Sequence, residues 1–308
     1  MNDETQNSAK VTGVLITYLP EYDKLLQVIN SLHTQLHKLY IIDNTPEEHT
    51  YLIHQAISIY QNSNIELIQL KENEGIAKAQ NIGIKEAQKD DADYILLSDD
   101  DTVFPQDYVV NMLKDFETAT NDVVAIAPNF ADTNRNDAKQ GFVVFKGLRS
   151  KRIYPECGLH EVTHAIASGQ FIKSSIFTDV GYMREDLFID WVDLEWCWRV
   201  NNAGYKVMGN ADILIKHTLG DMAVTLPNGK SYPTRSPLRH YYIVRNAIFL
   251  ALHSKVISVP MRINLLAKSL IYMFLYPVVA KPRIKNIRYC TLGFWHGLLG
   301  KLGKLNRK

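Results

Sequence analysis

The sequence predicts an α/β fold in which a mostly parallel sheet is followed by a helical, strongly basic region. Short apolar runs alternate with longer amphipathic ones over the first 130 residues, as is typical of strands joined by helical crossovers. Several of these runs end on polar residues, at Thr17, Asp43 and Asp99. Such sheets bind ligands at the carboxyl ends of their strands. Finally, no Asp or Glu occurs after Asp221, which separates a basic C-terminal part from the rest.

Hydrophobic periodicity places the individual elements. The apolar runs predict strands at 11–17, 39–42, 65–70, 94–98 and 123–127. Between 140 and 217 the pattern is one of further short strands with a single helix. Helices are predicted, in chain order, at about 21–35, 75–88, 192–203, 238–253, 261–280 and 289–302.

The distribution of charge divides the chain into two parts. The chain has 34 Lys and Arg and 33 Asp and Glu. Residues 222–308 contain 15 of the basic residues and none of the acidic ones. Residues 1–221 therefore have 19 basic and 33 acidic side chains, a net charge of −14, against +15 in the remainder. Because such asymmetry indicates two parts with different partners, we expect a catalytic α/β domain at 1–225 and a helical, basic, membrane-associating region at 226–308.

Composition is that of an ordinary globular protein, with 46% hydrophobic and 22% charged residues. The three cysteines, Cys157, Cys197 and Cys290, are widely spaced and odd in number. They favour a reducing compartment over a disulfide framework or a Cys-type zinc site. Residues 1–10 are polar and lack the apolar core of a secretory signal. We therefore expect a cytoplasmic protein.

Three adjacent carboxylates, Asp99, Asp100 and Asp101, follow the apolar run at 94–98. Their mutual repulsion is costly unless a cation neutralises it, and Mg²⁺ or Mn²⁺ binds through one or two carboxylates together with phosphate oxygens. The triplet thus indicates a divalent cation beside a nucleotide diphosphate, although a solvated acidic turn has the same composition. Asp99, Asp101 and Val103 also fit the Asp-x-Asp-x-Thr/Val pattern of haloacid-dehalogenase-type phosphatases. That pattern normally lies on the first strand of its domain, whereas at least three predicted strands precede it here.

A second acidic segment lies at 188–199, where Asp190, Asp193 and Glu195 alternate with apolar and aromatic residues at the start of a predicted helix. The helix dipole favours acids in a first turn, so capping explains part of the pattern but not the three tryptophans among the acids. A carboxylate in a partly apolar cleft has a raised proton affinity, which suits a general base. His217 ends a later apolar run. A lone histidine there is more often structural, but beside the acid triplet it is a candidate metal ligand.

Taken in order, these segments resemble the family 2 glycosyltransferases of the GT-A fold, in particular their bacterial rhamnosyltransferase-like branch. The similarity covers about 11–221, and its last motif, Phe-Ile-Asp-x-Val-Asp-x-Glu-Trp-Cys-x-Arg, is long and specific. The matching segments are 14–18, 41–44, 73–77, 81–83, 97–102, 168–170, 180–182 and 188–199. The resemblance implies a Rossmann-like catalytic domain with a mostly parallel sheet. It also implies transfer of the sugar in a single displacement that inverts its anomeric configuration.

The resemblance also implies a role for each matching residue. Asp43 would bind a pyrimidine base and Asp99 the donor ribose. Asp101 and His217 would hold Mg²⁺ or Mn²⁺ beneath the diphosphate; Asp100, where relatives usually have Gln, is an alternative ligand. Asp193 would deprotonate the acceptor hydroxyl, with Asp190 and Glu195 as supporting acids. The other nucleotide-sugar contacts would come from Thr17, Tyr18, Asn44, Asn73, Gly75, Lys78, Asn81, Asp100, Ser168 and Gly169.

Substrates and location follow from the resemblance and from the basic region together. The resemblance implies dTDP-rhamnose as donor, with UDP-galactofuranose or a UDP-hexose as alternatives, and a polyprenyl-diphosphate-linked saccharide as acceptor in cell-surface polysaccharide assembly of the O-antigen or capsule type. The apolar run 263–280 has 18 residues, interrupted by Lys268, fewer than the roughly 20 that span a bilayer. We expect it to lie on the anionic inner face of the cell membrane. Nucleic-acid binding would use the same charge, but the aromatic residues here cluster in apolar runs, so no nucleic-acid partner is expected.

Overall fold

A computed structural model describes residues 9–60, 64–132, 138–146, 149–217, 222–225 and 231–306; the side chains of 132, 138, 146, 217, 222–225 and 231–234 lie outside that description. The strands are β1 (Val11–Thr17), β2 (Lys38–Asp43), β3 (Ile65–Gln69), β4 (Tyr94–Asp99), β5 (Val123–Asp132), β6 (Ala138–Lys139), β7 (Phe142–Lys146), β8 (Arg149–Ile153), β9 (Leu159–Val162), β10 (Phe171–Lys173), β11 (Lys206–His217), β12 (Met222–Thr225) and β13 (Ser231–Thr234). The α-helices are α1 (Tyr22–Leu32), α2 (Tyr51–Ser58), α3 (Ile76–Lys89), α4 (Tyr108–Thr118), α5 (Ile176–Val180), α6 (Val192–Asn202), α7 (Pro237–His253), α8 (Val259–Val279) and α9 (Arg283–Leu298).

One large sheet organises the α/β part of the molecule. Its strand order is β3-β2-β1-β4-β10-β5-β11-β9, with β6 on the edge of β5. Strands β3, β2, β1 and β4 pair in parallel, as do β5 and β11, whereas β10 and β9 run antiparallel to their neighbours. The predicted α/β class with a mostly parallel sheet is therefore confirmed.

Strand β1 shows why the parallel strands read as unbroken apolar runs. Val11 and Leu15 face one layer of the core, which contains α1, α2 and α4. Val14 and Ile16 face the other, which contains α3 and α6. A strand covered by helices on both faces has apolar residues at every position, without polar alternation.

The structure also departs from the pattern read along the sequence. Helices α2, α4 and α5 were not predicted. The signal for α4 was present, because its buried residues Val109, Met112 and Phe116 recur at three- and four-residue spacing. Helix α8 begins at Val259, two residues before its predicted start, because Pro260 occupies the first helical turn, where proline is tolerated.

The C-terminal helices share the core of the α/β domain. Leu250 and Ala251 of α7 and Met261 and Leu265 of α8 belong to the same buried cluster as Val14 of β1. Helix α9 packs along α7 so closely that a Cβ added at Gly293 would lie 2.6 Å from the carbonyl oxygen of Tyr241. Helices α7 and α8 therefore share the core of the α/β domain, and α9 packs on α7.

Candidate active site

The carboxyl ends of β1, β2 and β4 bring three of the predicted site residues to one edge of the sheet. Thr17 is in register with Asp43, and Ile16 with Asp99. The Thr17 hydroxyl donates a hydrogen bond to Asp43 Oδ1 at 3.0 Å, and the amide of Thr45 donates to the same oxygen at 3.1 Å. Parallel register alone therefore assembles this part of the site, as predicted.

The second carboxylate oxygen of Asp43 has no partner. The residue is fully buried, and Oδ2 forms no hydrogen bond within the described part of the chain. An unsatisfied buried acceptor is costly. Asp43 is not among the residues that line the cavity described below, so its contact with a nucleotide base stays a prediction.

Two asparagines join the end of β2 to the loop before α3. Asn44 donates to Asn73 Oδ1 at 3.2 Å and accepts from the amide of Glu74 at 2.7 Å. Asn73 Oδ1 also accepts from the amide of Gly75 at 3.0 Å. The structure thus places these two amides where they order the loop.

Gly75 starts α3 in a position that no other residue fits. Its φ is 89°, and a Cβ there would lie 2.6 Å from the carbonyl oxygen of Phe188. That carbonyl accepts a hydrogen bond from the amide of Ile76 at 2.9 Å. The glycine therefore lets the donor-side loop touch the segment that carries the second acidic motif.

Two predicted donor contacts on α3 are engaged with protein groups. Lys78 pairs with Glu74 at 2.9 Å on the half-exposed side of the helix. Asn81 is buried, donates to the carbonyl of Met183 and to Glu185, and accepts from the amide of Met183, each at 2.9 Å. Asn81 thus fastens α3 to the 183–185 segment; the prediction that it contacts the donor remains a prediction.

The acid triplet begins at the last residue of β4. The amide of Tyr18 donates to Asp100 Oδ2 at 3.2 Å. Burial, together with the neighbouring charges of Asp99 and Asp101, raises the pKa of Asp100 to about 7. Ser168 lies behind the triplet, and its hydroxyl is 2.7 Å from that of Thr102. Gly169 follows with a φ of 81°, and its amide donates to the Leu97 carbonyl at 2.8 Å.

Asp193 occupies the first turn of α6. Its Oδ1 accepts from the amide of Leu194 at 2.9 Å, and its Oδ2 accepts from the amide of Ala167 at 3.2 Å. Burial raises the pKa of the carboxyl to about 6 despite these two hydrogen bonds, and the charges of Asp99 and Asp190 act in the same direction. A carboxylate with this proton affinity is suited to accept a proton near neutral pH.

The other two acids of the motif are paired with arginines. Asp190 accepts two hydrogen bonds from Arg239 of α7, at 2.7 and 3.3 Å. Glu195 is buried and pairs with Arg199 at 2.9 Å, and Arg199 also donates to the carbonyls of Val180, Gly181 and Tyr182. Asp190 borders the cavity described next, whereas Glu195 is not among the residues that line it.

A cavity of about 460 Å³ joins the acid triplet to the second acidic motif. One wall carries the predicted residues Thr17, Tyr18, Asp99, Asp100, Asp101, Asp190 and Asp193. A further part of the wall comes from α7, α8 and the residues before α7, namely Arg235, Arg239, Ile243, Tyr272 and Tyr276. Sequence reasoning missed this part because it assigned the basic region to the membrane. The four-residue spacing of Tyr272 and Tyr276 was the available signal, since it places both tyrosines on one face of a helix.

A larger cavity, of about 610 Å³, opens at the amino-terminal edge of the sheet near Lys10 and His37. No acidic residue lines it. The chemistry-bearing side chains therefore select the smaller cavity as the candidate active site.

Of the two metal ligands predicted from the sequence, Asp101 and His217, the structure describes the side chain of Asp101 alone. Asp101 lines the cavity; His217 is the last residue of β11, and its side chain lies outside the described residues. Among the described side chains, no three His, Cys, Asp or Glu converge as a ready-made metal site.

Comparison with known proteins bears on the family. The protein-family model described as glycosyl transferase family 2 matches residues 13–181 of this chain. The dTDP-rhamnosyl transferase RfbF of Shigella flexneri is 30% identical over 313 residues, covering 96% of this chain and 98% of its own length. An uncharacterized glycosyltransferase of Bacillus subtilis, YwdF, is 30% identical over 192 residues, covering 59% of this chain and 65% of its own.

Solved structures share the fold at low identity. TarS 1–349 of S. aureus in complex with UDP-GlcNAc matches with a TM-score of 0.59 and 14% identity, over 94% of this chain and 92% of that one. The mannosyltransferase PcManGT from Pyrobaculum calidifontis, in complex with GDP-Man and Mn²⁺, matches with a TM-score of 0.54 and 14% identity. The match covers 96% of this chain and 76% of that one. These likenesses bear on the fold alone, which is GT-A-like. From the family model and the full-length similarity to RfbF, the chain belongs to glycosyl transferase family 2 and is a glycosyltransferase.

Proposed function

We propose that the protein is an inverting, metal-dependent glycosyltransferase that moves L-rhamnose from dTDP-rhamnose onto a lipid-linked saccharide in cell-surface polysaccharide biosynthesis. The observation that carries the proposal is the shared cavity, which holds Asp193, with its raised pKa, together with the three carboxylates at the end of β4. A single base beside a diphosphate site is what a one-step displacement needs.

The donor assignment rests on the base pocket and on the relative of known substrate. The unpartnered Oδ2 of Asp43 is an acceptor for the N3–H of thymine. Uracil offers the same donor, so Asp43 favours a pyrimidine nucleotide without selecting the sugar. Full-length similarity to a protein named as a dTDP-rhamnosyl transferase favours rhamnose. A UDP-sugar such as UDP-galactofuranose or a UDP-hexose is the second candidate, because TarS shares the fold and was solved with UDP-GlcNAc.

The carboxylates at the end of β4 suit a hard divalent cation. Because no complete ligand set exists among the described side chains, Mg²⁺ or Mn²⁺ would be held by Asp101 and its neighbours Asp99 or Asp100, with the donor diphosphate completing the coordination. His217 is a further candidate ligand. When bound, such an ion stabilises the negative charge that develops on the departing nucleotide.

The protein's own groups perform the rest of the reaction. Asp43 and Thr17 hold the nucleotide at the ends of β2 and β1. Asp193 takes the proton from the acceptor hydroxyl, which then attacks the anomeric carbon opposite the leaving diphosphate. The main-chain amides of Leu194 and Ala167 fix the carboxylate during this step. Asp190, neutralised by Arg239, sets the shape and charge of the acceptor side.

Membrane association is the proposed route to a lipid-linked acceptor, with the protein peripheral on the inner face of the cell membrane. Within the described residues, α8 is the one helix long and apolar enough to cross a bilayer by length and composition. Its outward stripe is apolar: Ile263, Ile271, Phe274 and Val278 are 58 to 70% exposed. Lys281, Arg283, Lys285 and Arg288 follow directly in the sequence. An apolar face bordered by cations is typical of a helix that lies in an anionic membrane surface.

A nucleotide-sugar panel tests the proposal. Purified protein is incubated with dTDP-rhamnose, UDP-galactofuranose, UDP-glucose and UDP-GlcNAc, each with Mg²⁺ or Mn²⁺, and the release of nucleotide diphosphate is measured. We expect release from dTDP-rhamnose above the others. Preference for a UDP-sugar would support the second candidate. Inorganic phosphate released from simple phosphomonoesters, with no nucleotide diphosphate released, would contradict the transferase assignment.

A further inference from the structure

The chain just before α6 adopts a conformation that ordinary residues avoid. Phe188, Asp190 and Trp191 have φ values of 65°, 64° and 68°. At Phe188 the ψ is −63°, and the amide of Ile189 donates to the Leu187 carbonyl at 2.8 Å. This is a γ-turn of the rarer, strained hand. Non-glycine residues in such regions are strained and persist only where their surroundings hold them.

Two buried residues of α7 hold this segment, which comprises residues 186–191 and is called the catalytic loop below. Asn246 donates from Nδ2 to the carbonyls of Leu187, Ile189 and Asp190, at 3.0, 2.9 and 3.0 Å. Arg245 donates from Nη2 to the Leu187 carbonyl at 2.8 Å and to the Asp186 carbonyl at 3.4 Å. The carbonyl at the start of the γ-turn thus accepts from both side chains.

The two side chains also bind each other and the C-terminal segment. Arg245 Nε donates to Asn246 Oδ1 at 2.8 Å, and Arg245 Nη1 donates to the Gly303 carbonyl at 2.5 Å. Both residues are fully buried, and Arg245 donates its hydrogen bonds within the described residues to neutral oxygens. Burying a guanidinium without a hydrogen-bonded carboxylate is expensive. Simple helix packing would be met more cheaply by an apolar side chain.

We propose that Arg245 and Asn246 are positioning residues that hold the catalytic loop in the one conformation which presents Asp190 and Asp193 to the active-site cavity. The inference rests on the proposed transferase function. The catalytic loop also contacts the start of α3, because its Phe188 carbonyl accepts a hydrogen bond from the amide of Ile76.

The reaction is sensitive to such positioning. Asp193 follows the strained segment directly, and its α6 helix begins at Val192. Misplacing a reacting group by about 1 Å can cost about 10²-fold in rate. Without the donors from α7, the catalytic loop would relax toward ordinary φ values, and the carboxylates would move with it.

Asn246→Asp and Asn286→Asp form a matched pair for the test. Both asparagines are fully buried in the C-terminal helices. Asn246→Asp keeps the acceptor for Arg245 but removes the donated bonds to the loop. Asn286→Asp likewise keeps the oxygen facing His240 and removes the bonds that Asn286 donates to the carbonyls of Ala280 and Pro282, outside the catalytic loop. Each variant is assayed for kcat and donor KM of dTDP-rhamnose hydrolysis, for Tm, and for amide hydrogen exchange.

We expect Asn246→Asp to lower kcat by about 10²-fold while KM changes less than threefold, and to speed exchange at 187–191. Asn286→Asp should keep kcat within about threefold of wild type at a comparable loss of Tm. Equal losses of kcat at equal losses of Tm would overturn the inference, since a merely structural role predicts them. So would slow, wild-type exchange of the loop in Asn246→Asp.

Two further measurements keep the test decisive if Asn246→Asp does not fold. Arg245→Lys keeps a donor but loses the planar fork at Leu187, and the same kcat and exchange effects are expected. In wild-type protein, the Ile189 amide should exchange as slowly as the amides of α7; exchange at the rate of an exposed loop would overturn the inference. Exchange is independent of turnover. If wild-type protein hydrolyses no donor, the proposed function is contradicted. The positioning role would be contradicted only by the outcomes of the exchange and kcat comparisons given above.

Discussion

Arg239 and Asp190 form a two-point ion pair that joins the basic C-terminal part of the chain to its acidic catalytic segment. Arg239 Nη2 lies 2.7 Å from Asp190 Oδ1, and Arg239 Nε lies 3.3 Å from Asp190 Oδ2. Both oxygens of Asp190 therefore accept hydrogen bonds from the guanidinium of Arg239. Of the three acids in the motif, Asp193 alone lines the cavity, accepts from main-chain amides and forms no ion pair with a described residue.

Replacing Asp193 tests that assignment. Asp193→Asn is nearly isosteric but cannot accept the proton, so we expect turnover to fall about 10²–10⁴-fold with little change in dTDP binding measured by calorimetry. Glu195→Gln is the control, since Glu195 pairs with Arg199 outside the cavity lining. Near-normal turnover in Asp193→Asn, with loss in Asp190→Asn or Glu195→Gln, would assign the base to another acid.

The raised pKa of Asp193 predicts a pH dependence. Because the base must be ionised, kcat/KM should rise with pH through about 6, and this limb should disappear from the residual activity of Asp193→Asn.

The raised pKa of Asp193 also makes the stability of the folded protein depend on pH. A carboxyl whose pKa is raised from 3.8 to about 6 binds its proton more tightly in the folded state, so stability is lost as pH rises between those values. The Tm difference, Asp193→Asn minus wild type, should therefore become more positive from about pH 4 to about pH 6. Exposed Asp23→Asn, on α1, is the control, because it removes a carboxyl from the surface and not from a buried site. A flat difference for Asp193→Asn would contradict the burial argument.

Metal dependence is predicted from the carboxylates at the end of β4. Chelation with EDTA should abolish transfer, and added Mg²⁺ or Mn²⁺ should restore it. Asp101→Ala should abolish transfer and remove the metal-dependent part of dTDP binding. Asp107→Ala, which removes an exposed carboxylate six residues further on, should leave both unchanged. Full activity in excess chelator would refute the metal assignment.

Membrane binding is predicted to need both charge and the apolar stripe of α8. Wild-type protein should sediment with phosphatidylglycerol-containing vesicles and be released as salt rises, because exposed charges are screened over about 10 Å at 0.1 M salt. Ile271→Asp with Phe274→Asp should reduce sedimentation while donor hydrolysis remains. Ile59→Asp, at an exposed site just after α2, is the control.

Three outcomes of the vesicle experiment would contradict this picture. Equal, salt-insensitive binding to neutral vesicles would show that charge is not the anchor. Loss of a dimer in the Ile271→Asp, Phe274→Asp variant, seen by analytical ultracentrifugation, without any vesicle effect would assign the stripe to a second copy of the chain. Tight RNA binding without vesicle association would revive the nucleic-acid alternative.

The close contact between α7 and α9 predicts that Gly293 is essential to the fold. Gly293→Ala places a Cβ 2.6 Å from the Tyr241 carbonyl oxygen. Overpacking of this kind costs about 1–3 kcal/mol, more than the roughly 1 kcal/mol that alanine gains over glycine in a helix. Tm should therefore fall. Thr291→Ala, at an exposed position on the same helix, should leave Tm unchanged or raise it; an equal rise for Gly293→Ala would contradict the packing argument.

The sequence by itself determined where the proposed donor side of the site would form. Thr17, Asp43 and Asp99 each end an apolar run, and parallel strands align their carboxyl ends through backbone hydrogen bonds. Local pattern and strand direction were therefore sufficient to bring these residues together. The motif around Asp193 was likewise readable, because acids among tryptophans at a helix start are unusual without a function.

Only the tertiary structure decided how the proposed acceptor side is built. Arg239 meets Asp190 across 49 residues of chain, and Asn246 reaches the Asp190 carbonyl across 56. No local period encodes these contacts, because they depend on how α7 packs against the catalytic loop. The packing of α8 likewise brings Tyr272 and Tyr276 to the cavity. The Glu195–Arg199 pair is by contrast local, because the two residues lie four positions apart on α6. Long-range burial of polar side chains, which hydrophobic patterning does not describe, gave the C-terminal helices their place in the active site.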